Sequence, residues 1–447
     1  MGPGRRRIVT ARDATIEARL TSATNTLGIS GTKPAPAGAA RFFLTALDQG
    51  LLSVLMLSVN LALIHWGTKA EYALFAIVMS AILLSQSIQN AAICVPLMVL
   101  GRLWEPREFP GFEAHLRRMN LAGATISAAA CAGLALASTG GNHSLNLGLA
   151  GAAGLAVAGV WLREYRRTTQ LREDQLGALA ASDAVVAALV LSALWFLIRR
   201  GTSLSAIGVL AALGSANLLV SIRGALPERH APAASQQVLK DWWAQIRMST
   251  AWSAVSWLQA TSYPILAAAA AGTQAAADVA AARLFLSPGL LLLTAWGRLG
   301  ILGAAEAIHA GGLGRWRRFV SDQTVRVGLG SVGYIVIVVI AVFLGVGRIL
   351  GDEYRNTALI WCWLLVGLLT TIRGVPTVSL QGAAAFGPLM RWGIVSAVGS
   401  CTAVLAFGKV WGAAGCVLGV AAGELINGVA FFTVVRRLRA PASSSTR

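Results

Sequence analysis

The run VGLGSVGYIVIVVIAVFLGVG, residues 327–347, puts 21 residues between Arg326 and Arg348 without one charged side chain. As a helix rising about 1.5 Å per residue it is about 30 Å long, the thickness of a bilayer's hydrocarbon core. Outward from this run, eleven more stretches of similar character lie near 42–66, 72–100, 120–138, 144–162, 175–198, 203–222, 248–271, 279–304, 357–379, 388–407 and 411–434. The whole chain of 447 residues is 56% hydrophobic and 13% charged. Soluble domains run at about 45–50% apolar and about 25% charged, so the composition argues against them and excludes a disordered chain. The expectation is an all-α integral membrane protein with about twelve transmembrane helices.

The net charge of +18 comes from 37 Lys and Arg against 19 Asp and Glu. With the N-terminus inside, 29 of the 37 fall in the tails and alternate loops on one side, six on the other (Lys69, Arg199, Arg200, Arg348, Arg355 and Lys409), and Arg283 and Arg298 inside the eighth span. Short cytoplasmic loops collect Lys and Arg, so both termini are expected in the cytoplasm. The same placement accounts for the charge through anionic headgroups, and no nucleic-acid partner is expected.

The expected organisation is a disordered basic cytoplasmic tail over 1–41, a six-helix bundle over 42–222, a cytoplasmic connecting loop over 223–247, a second six-helix bundle over 248–434 and a cytoplasmic tail over 435–447. Within the loop, Leu239 to Ile246 with Trp242 and Trp243 suits a helix lying at the membrane interface. The halves look alike. Gly67-Thr68-Lys69-Ala70 follows the first span and Gly272-Thr273-Gln274-Ala275 the seventh, and each precedes a helix containing a proline, Pro96 or Pro288. Internal repeats of this kind are a feature of transporters.

Soluble-enzyme signatures are absent. No phosphate-binding loop of the form G-x-x-x-x-G-K-[ST] occurs, and the five Cys and five His show no C-x-x-C or H-E-x-x-H spacing. No catalytic residue, metal site or cofactor is expected. The outer loops are short, and their acidic residues are Glu71, Asp278 and the pair Asp352-Glu353, read as a solvated turn.

Ionisable residues inside the spans are costly in hydrocarbon and should face a partner or a watery cavity. They are Asp48, Asp183, Arg283, Arg298, Glu306, Arg373 and Glu424. The structural alternative for each is an interfacial residue or an ion pair between helices. Arg283 is the sharpest candidate. It sits among small residues ahead of Ser287-Pro288-Gly289, where the proline frees a carbonyl, and its planar fork suits a phosphate or carboxylate. Arg298, Gln86, Gln89 and Asn90 complete the candidate substrate-binding set, with Asp48 and Glu424 as coupling or structural charges.

The run Ala46 to Gly101 resembles the start of polysaccharide exporters and lipid-linked-oligosaccharide flippases of the multidrug/oligosaccharidyl-lipid/polysaccharide (MOP) superfamily. The matching pieces are Ala46-Leu47-Asp48-Gln49, the turn Gly67 to Tyr72 before Ala73-Leu74-Phe75-Ala76, and Gln89-Asn90 followed by Pro96-Leu97-Met98-Val99-Leu100. Ala282 to Leu293 looks like that family's eighth helix. The resemblance implies two pseudo-repeated six-helix bundles around a central cavity (MOP/MATE-like), opening alternately to each side. It also implies a non-enzymatic flippase of the bacterial inner membrane that moves an undecaprenyl-diphosphate-linked oligosaccharide for exopolysaccharide, capsule or O-antigen assembly. Membrane lipids and a glycan polymerase or export machinery are the candidate partners. Cavity arginines attract the diphosphate in such proteins, a role that transfers here to Arg283 and less directly to Arg298. The alternative is an ion-coupled exporter of small organic compounds on the same fold, with Asp48 and Glu424 as coupling carboxylates.

Overall fold

The computed structural model describes residues 37–99, 109–138, 143–173, 175–201, 203–225, 234–345, 350–354, 356–383 and 385–438. The described residues form twelve helices and no strand beyond an isolated bridge between Gly67 and Leu204. The expected N-terminal tail lies outside them up to residue 36, as does the C-terminal end from 439.

In the first half, α1 is Ala37–Trp66. α2 begins as Lys69–Gln89, passes through a π turn at Asn90–Cys94 and ends as Val95–Val99. α3 is Phe109–Ser138, α4 His143–Arg172, α5 Leu176–Arg199 and α6 Ala206–Ala225. The second half repeats the series. α7 is Gln236–Ala260 and Tyr263–Ala271 with a break between. α8 is Thr273–Arg283, a 3-10 turn at Leu284–Leu286 and residues 287–310. The helix Ser287–Phe343 turns back at Gly311 and Gly312, and residues 313–343 are α9. α10 is Thr357–Gly382, and Phe386–Arg437 divides at Gly412, where φ is +59°, into α11 (386–411) and α12 (413–437). By length and composition, seven of the described helical stretches suffice to cross a membrane, the 51-residue Gly387–Arg437 among them.

Helices in lipid gain nothing from burying one apolar face against another, so they associate where small residues admit close backbone contact. Gly415, Gly419 and Gly423 form such a row on α12. A Cβ at Gly419 would stand 2.3 Å from Val404 N on α11, and one at Gly423 2.4 Å from Ser400 Cβ. The groove is then bonded across, Ser396 Oγ donating to Gly423 O at 2.6 Å. In the first half, Gly159 of α4 and Gly214 of α6 play the same part, a Cβ at Gly214 meeting Ala156 N at 2.7 Å.

Two expectations about elements need correction. Leu239 to Ile246 is no separate interfacial helix: it is the start of α7, where Trp242 is buried and donates Nε1–H to Ala92 O at 3.0 Å while Trp243 stays 60% exposed. The connecting segment is accordingly shorter than 223–247, since α6 runs to Ala225 and α7 starts at Gln236. The turns after the first and seventh helices also match for different reasons. Gly272 has φ of +90°, whereas at Gly67 a Cβ would collide with Leu63 O at 2.6 Å and Leu204 O at 2.9 Å.

Gly419→Ala is expected to cost about 1–3 kcal/mol by forcing α11 and α12 apart. Gly333→Ala, where a Cβ meets nothing within 4 Å, should be neutral or slightly stabilising. Thermal unfolding of the two purified variants, followed by size exclusion, checks this.

Candidate functional site

Irregular backbone inside a bilayer must find partners within the protein, and the two bundles meet where it does. The π turn of α2 runs up to Pro96, and the carbonyls of Ala91 and Ala92 there accept from Ser249 Oγ (3.4 Å) and Trp242 Nε1 of α7. At the break in α7, Thr261 O accepts from Ser80 Oγ at 2.6 Å, and Trp257 Nε1 returns a bond to Ser80 O at 2.8 Å. These bonds make a seam between α2 and α7.

At the end of α2 that holds Lys69, its Nζ lies 2.7 Å from Asp278 of α8, reaches Glu353 O at 3.4 Å and stands 5.5 Å over the Tyr354 ring. Tyr354 meets Tyr72 edge-on. Burial, then the Glu353 and Asp278 carboxylates, hold the Tyr354 phenol above its usual range, so it stays neutral. Asp278 and the Asp352–Tyr354 turn, whose Asp352-Glu353 pair reads from sequence as a solvated turn, therefore join the two bundles at this end. Glu71 is used locally, accepting the backbone N–H of Ala206 at 2.6 Å.

Further along α8 stands Arg283. It is half-buried, donates from Nη1 to Tyr263 Oη at 3.1 Å, and lies 4.8 Å from the Tyr263 ring centre and 5.7 Å from that of Trp363. Trp363 is fixed in turn by donating Nε1–H to Val279 O at 2.9 Å. Among the described residues no carboxylate pairs with Arg283. Its charge is held by aromatic faces, an attraction that strengthens where water is excluded, and most of its five donors stay available. Tyr263 opens the second part of α7, and only the packing of α10 on α8 brings Trp363 here.

Three further intramembrane charges, Asp183, Arg373 and Glu424, are held in ion pairs. Asp183 is 0% exposed and receives both Arg163 and, at 3.1 Å, Arg167 from α4, while Arg163 also donates to Asn217 of α6 at 2.9 Å. In the second bundle Arg373 of α10 donates to Glu424 of α12 at 2.6 and 3.3 Å, and Gln259 links Glu424 (3.4 Å) to Asn427 (2.6 Å). Arg163 and Arg373 each sit nine residues before the last residue of their helix. The repeat thus extends to an arginine that ties the fourth helix of each bundle to the sixth.

Of the candidate set, Gln89 is 0% exposed and donates from Nε2 to Trp161 O (2.6 Å) and Asn120 Oδ1 (2.8 Å), so its amino group is used inside the first bundle. Gln86 is half-buried and Asn90 exposed. Glu424 serves as a structural charge in this arrangement. Asp48 and Arg298 lie on α1 and α8, with side chains outside the described residues. Arg298 follows Arg283 by 15 residues, about 22 Å along the helix.

A comparison with protein-family models finds no match, and neither does one with curated proteins. The fold does have solved relatives. The chain superimposes on an inward-facing multidrug resistance MATE family transporter of the MOP superfamily with a TM-score of 0.68 at 13% identity, over 86% of this chain and 93% of that one. With the lipid II flippase MurJ in an inward closed conformation the TM-score is 0.63 at 11% identity, over 88% and 87%. With a MOP superfamily transporter from Pyrococcus furiosus, described as having a binding pocket of reverse polarity, it is 0.58 at 12%, over 88% and 93%. The chain shares the fold of these MATE and MurJ structures.

Removing one partner of a buried pair leaves an uncompensated charge, at about 3–5 kcal/mol, whereas replacing both by apolar residues is often neutral. Glu424→Leu is therefore expected to lower the thermal midpoint sharply and the Arg373→Leu/Glu424→Leu double variant to recover most of it, as measured on purified protein.

Proposed function

We propose that this protein is a non-enzymatic flippase that carries an undecaprenyl-diphosphate-linked oligosaccharide across the bacterial inner membrane by alternating access. The product would feed exopolysaccharide, capsule or O-antigen assembly. The observation that carries this reading is Arg283, a half-buried arginine deep in a membrane helix, seated against two aromatic rings without a carboxylate partner among the described residues. A guanidinium so placed can offer parallel hydrogen bonds to a diphosphate. Likeness in fold to a lipid II flippase supports the reading.

The orientation follows from the charges. The ends of α4 and α12 carry Arg163, Arg166, Arg167, Arg172, Arg436 and Arg437, which places that end in the cytoplasm by the inward rule. The Lys69 end then faces outward, and the Lys69–Asp278 pair closes the outer side in this conformation. Substrate enters from the cytoplasmic leaflet, the diphosphate meets Arg283, and Gln86 and Asn90 contact sugar. Rupture of the Lys69–Asp278 contact opens the outer side. Asp48 couples the cycle to an ion or balances charge, and a glycan polymerase or export machinery receives the product.

The second reading, an ion-coupled exporter of small organic compounds, rests on likeness to MATE transporters. It would use Asp48 and Glu424 as coupling carboxylates, and Arg373 already occupies the second. A protonatable coupling site at Glu424 needs that pair to break first, and the flippase reading, carried by Arg283, is preferred.

In a deletion strain complemented with Arg283→Ala, lipid-linked oligosaccharide is expected to accumulate in the inner leaflet and surface polymer to fall to background, with the variant still in the membrane. Arg283→Lys should restore part of the export, since it keeps the charge and loses the fork. Normal surface polymer from Arg283→Ala would overturn the assignment.

A further inference from the structure

The turn that presents Arg283 also sets what lies beneath it. Residues Leu284–Leu286 form a 3-10 turn, and in that geometry side chains three apart eclipse, so Arg283 stands in line with Leu286. The irregularity arises at Ser287-Pro288, and the freed carbonyl of Phe285 accepts from Tyr334 Oη of α9. Past the turn, α8, α9 and α10 diverge around a partly enclosed cavity of about 210 Å³, lined by Leu286, Leu293, Gly330, Tyr334, Gly367 and Thr371 among others.

The cavity and the Arg283 site are continuous along two helices. On α8 the row is Arg283, Leu286, Leu290 and Leu293, at intervals of three and four. On α10 it is Trp363, Gly367 and Thr371, at intervals of four, about 12 Å along the axis. Trp363 belongs to the cation's aromatic seat, while Gly367 and Thr371 line the cavity. The lining is almost wholly apolar. Thr371 spends its hydroxyl on Gly367 O at 2.7 Å, and Tyr334 its own on Phe285 O. Apolar cavities stay dry and take apolar guests. Gly367 keeps the space open, because a Cβ there would stand 2.7 Å from Leu286 Cδ2.

A cation on aromatic faces at the head of a dry apolar cavity matches an amphiphile with an anionic head and a hydrocarbon chain. We infer that the cavity between α8, α9 and α10 binds the head-proximal part of the substrate's isoprenoid chain while Arg283 holds the diphosphate. This rests on the flippase reading. The cavity takes a short length of chain, and the remainder stays in the bilayer. The substrate lipid is thus held through the second bundle, and its chain stays seated in apolar surroundings while the sugar crosses.

The test uses the full chain in phospholipid nanodiscs with a benzophenone-tagged farnesyl diphosphate as photoprobe, and pyrophosphate binding measured separately. Adducts are expected on α8, α9 and α10 at the cavity, competed by untagged farnesyl diphosphate despite the surrounding phospholipid. Gly330→Phe fills the cavity from a position where a Cβ meets nothing within 4 Å. It should weaken probe labelling about tenfold and leave pyrophosphate binding unchanged. Gly333→Phe, equally open and outside the lining, should label as the parent does, and identical size-exclusion profiles show that both variants fold. Undiminished labelling of Gly330→Phe, adducts elsewhere, or labelling that a fatty acid competes equally well would overturn the inference. Arg283→Ala should lose pyrophosphate binding. If it keeps it, the headgroup assignment fails, and a tagged farnesol still decides whether the cavity takes an isoprenoid chain.

Discussion

Hydrocarbon offers backbone groups no alternative partner, and the most informative features of this protein lie where its helices violate their own ladder. Three of these violations are answered by side chains from another helix: Trp242 and Ser249 at the π turn of α2, Ser80 at the break in α7, and Tyr334 at the 3-10 turn of α8. Leaving such a group unmet costs several kcal/mol, so these bonds are obligatory consequences of the irregular turns. The first three stitch one bundle to the other along α2 and α7. The fourth fixes the turn on which Arg283 stands.

Electrostatics follows the same rule of local satisfaction. Asp183 and Glu424 are met by arginines of the neighbouring helix, and Lys69 by Asp278 across the two bundles. Arg317 donates to the carbonyls of Val435, Arg436 and Leu438 at the end of α12, the favourable location for a cation against a helix dipole. Against this background Arg283 stands apart, because its partners among the described residues are π faces and a phenol.

The repeat is physical as well as topological. Arg163 and Arg373 occupy corresponding places on α4 and α10 and reach their bundle's sixth helix, but the first meets Asn217 and Asp183 and the second Glu424. The bundles therefore share a framework and differ in chemistry. The Arg283 site and its cavity are described in the second alone, where α8 carries its proline just past the aromatic seat.

Residue order alone determined the membrane class, the twelve helices and most of their limits, because apolar length against bilayer thickness is a property of a linear segment. It also marked Arg283, since an arginine inside a span is costly wherever the neighbours are. What it could not determine was which polar groups neutralise one another. Gln89, Glu424 and Arg283 all read as polar residues in apolar helices. Packing put the first against Trp161 and Asn120, the second against Arg373, and the third against Tyr263 and Trp363. Trp242 likewise read as an interfacial tryptophan until α7 carried it to the carbonyl of Ala92. Pairing depends on helix rotation and crossing, set by small-residue rows such as Gly415, Gly419 and Gly423 acting over distances in space. No local pattern encodes that, so the tertiary structure alone decided which of these polar groups meet one another.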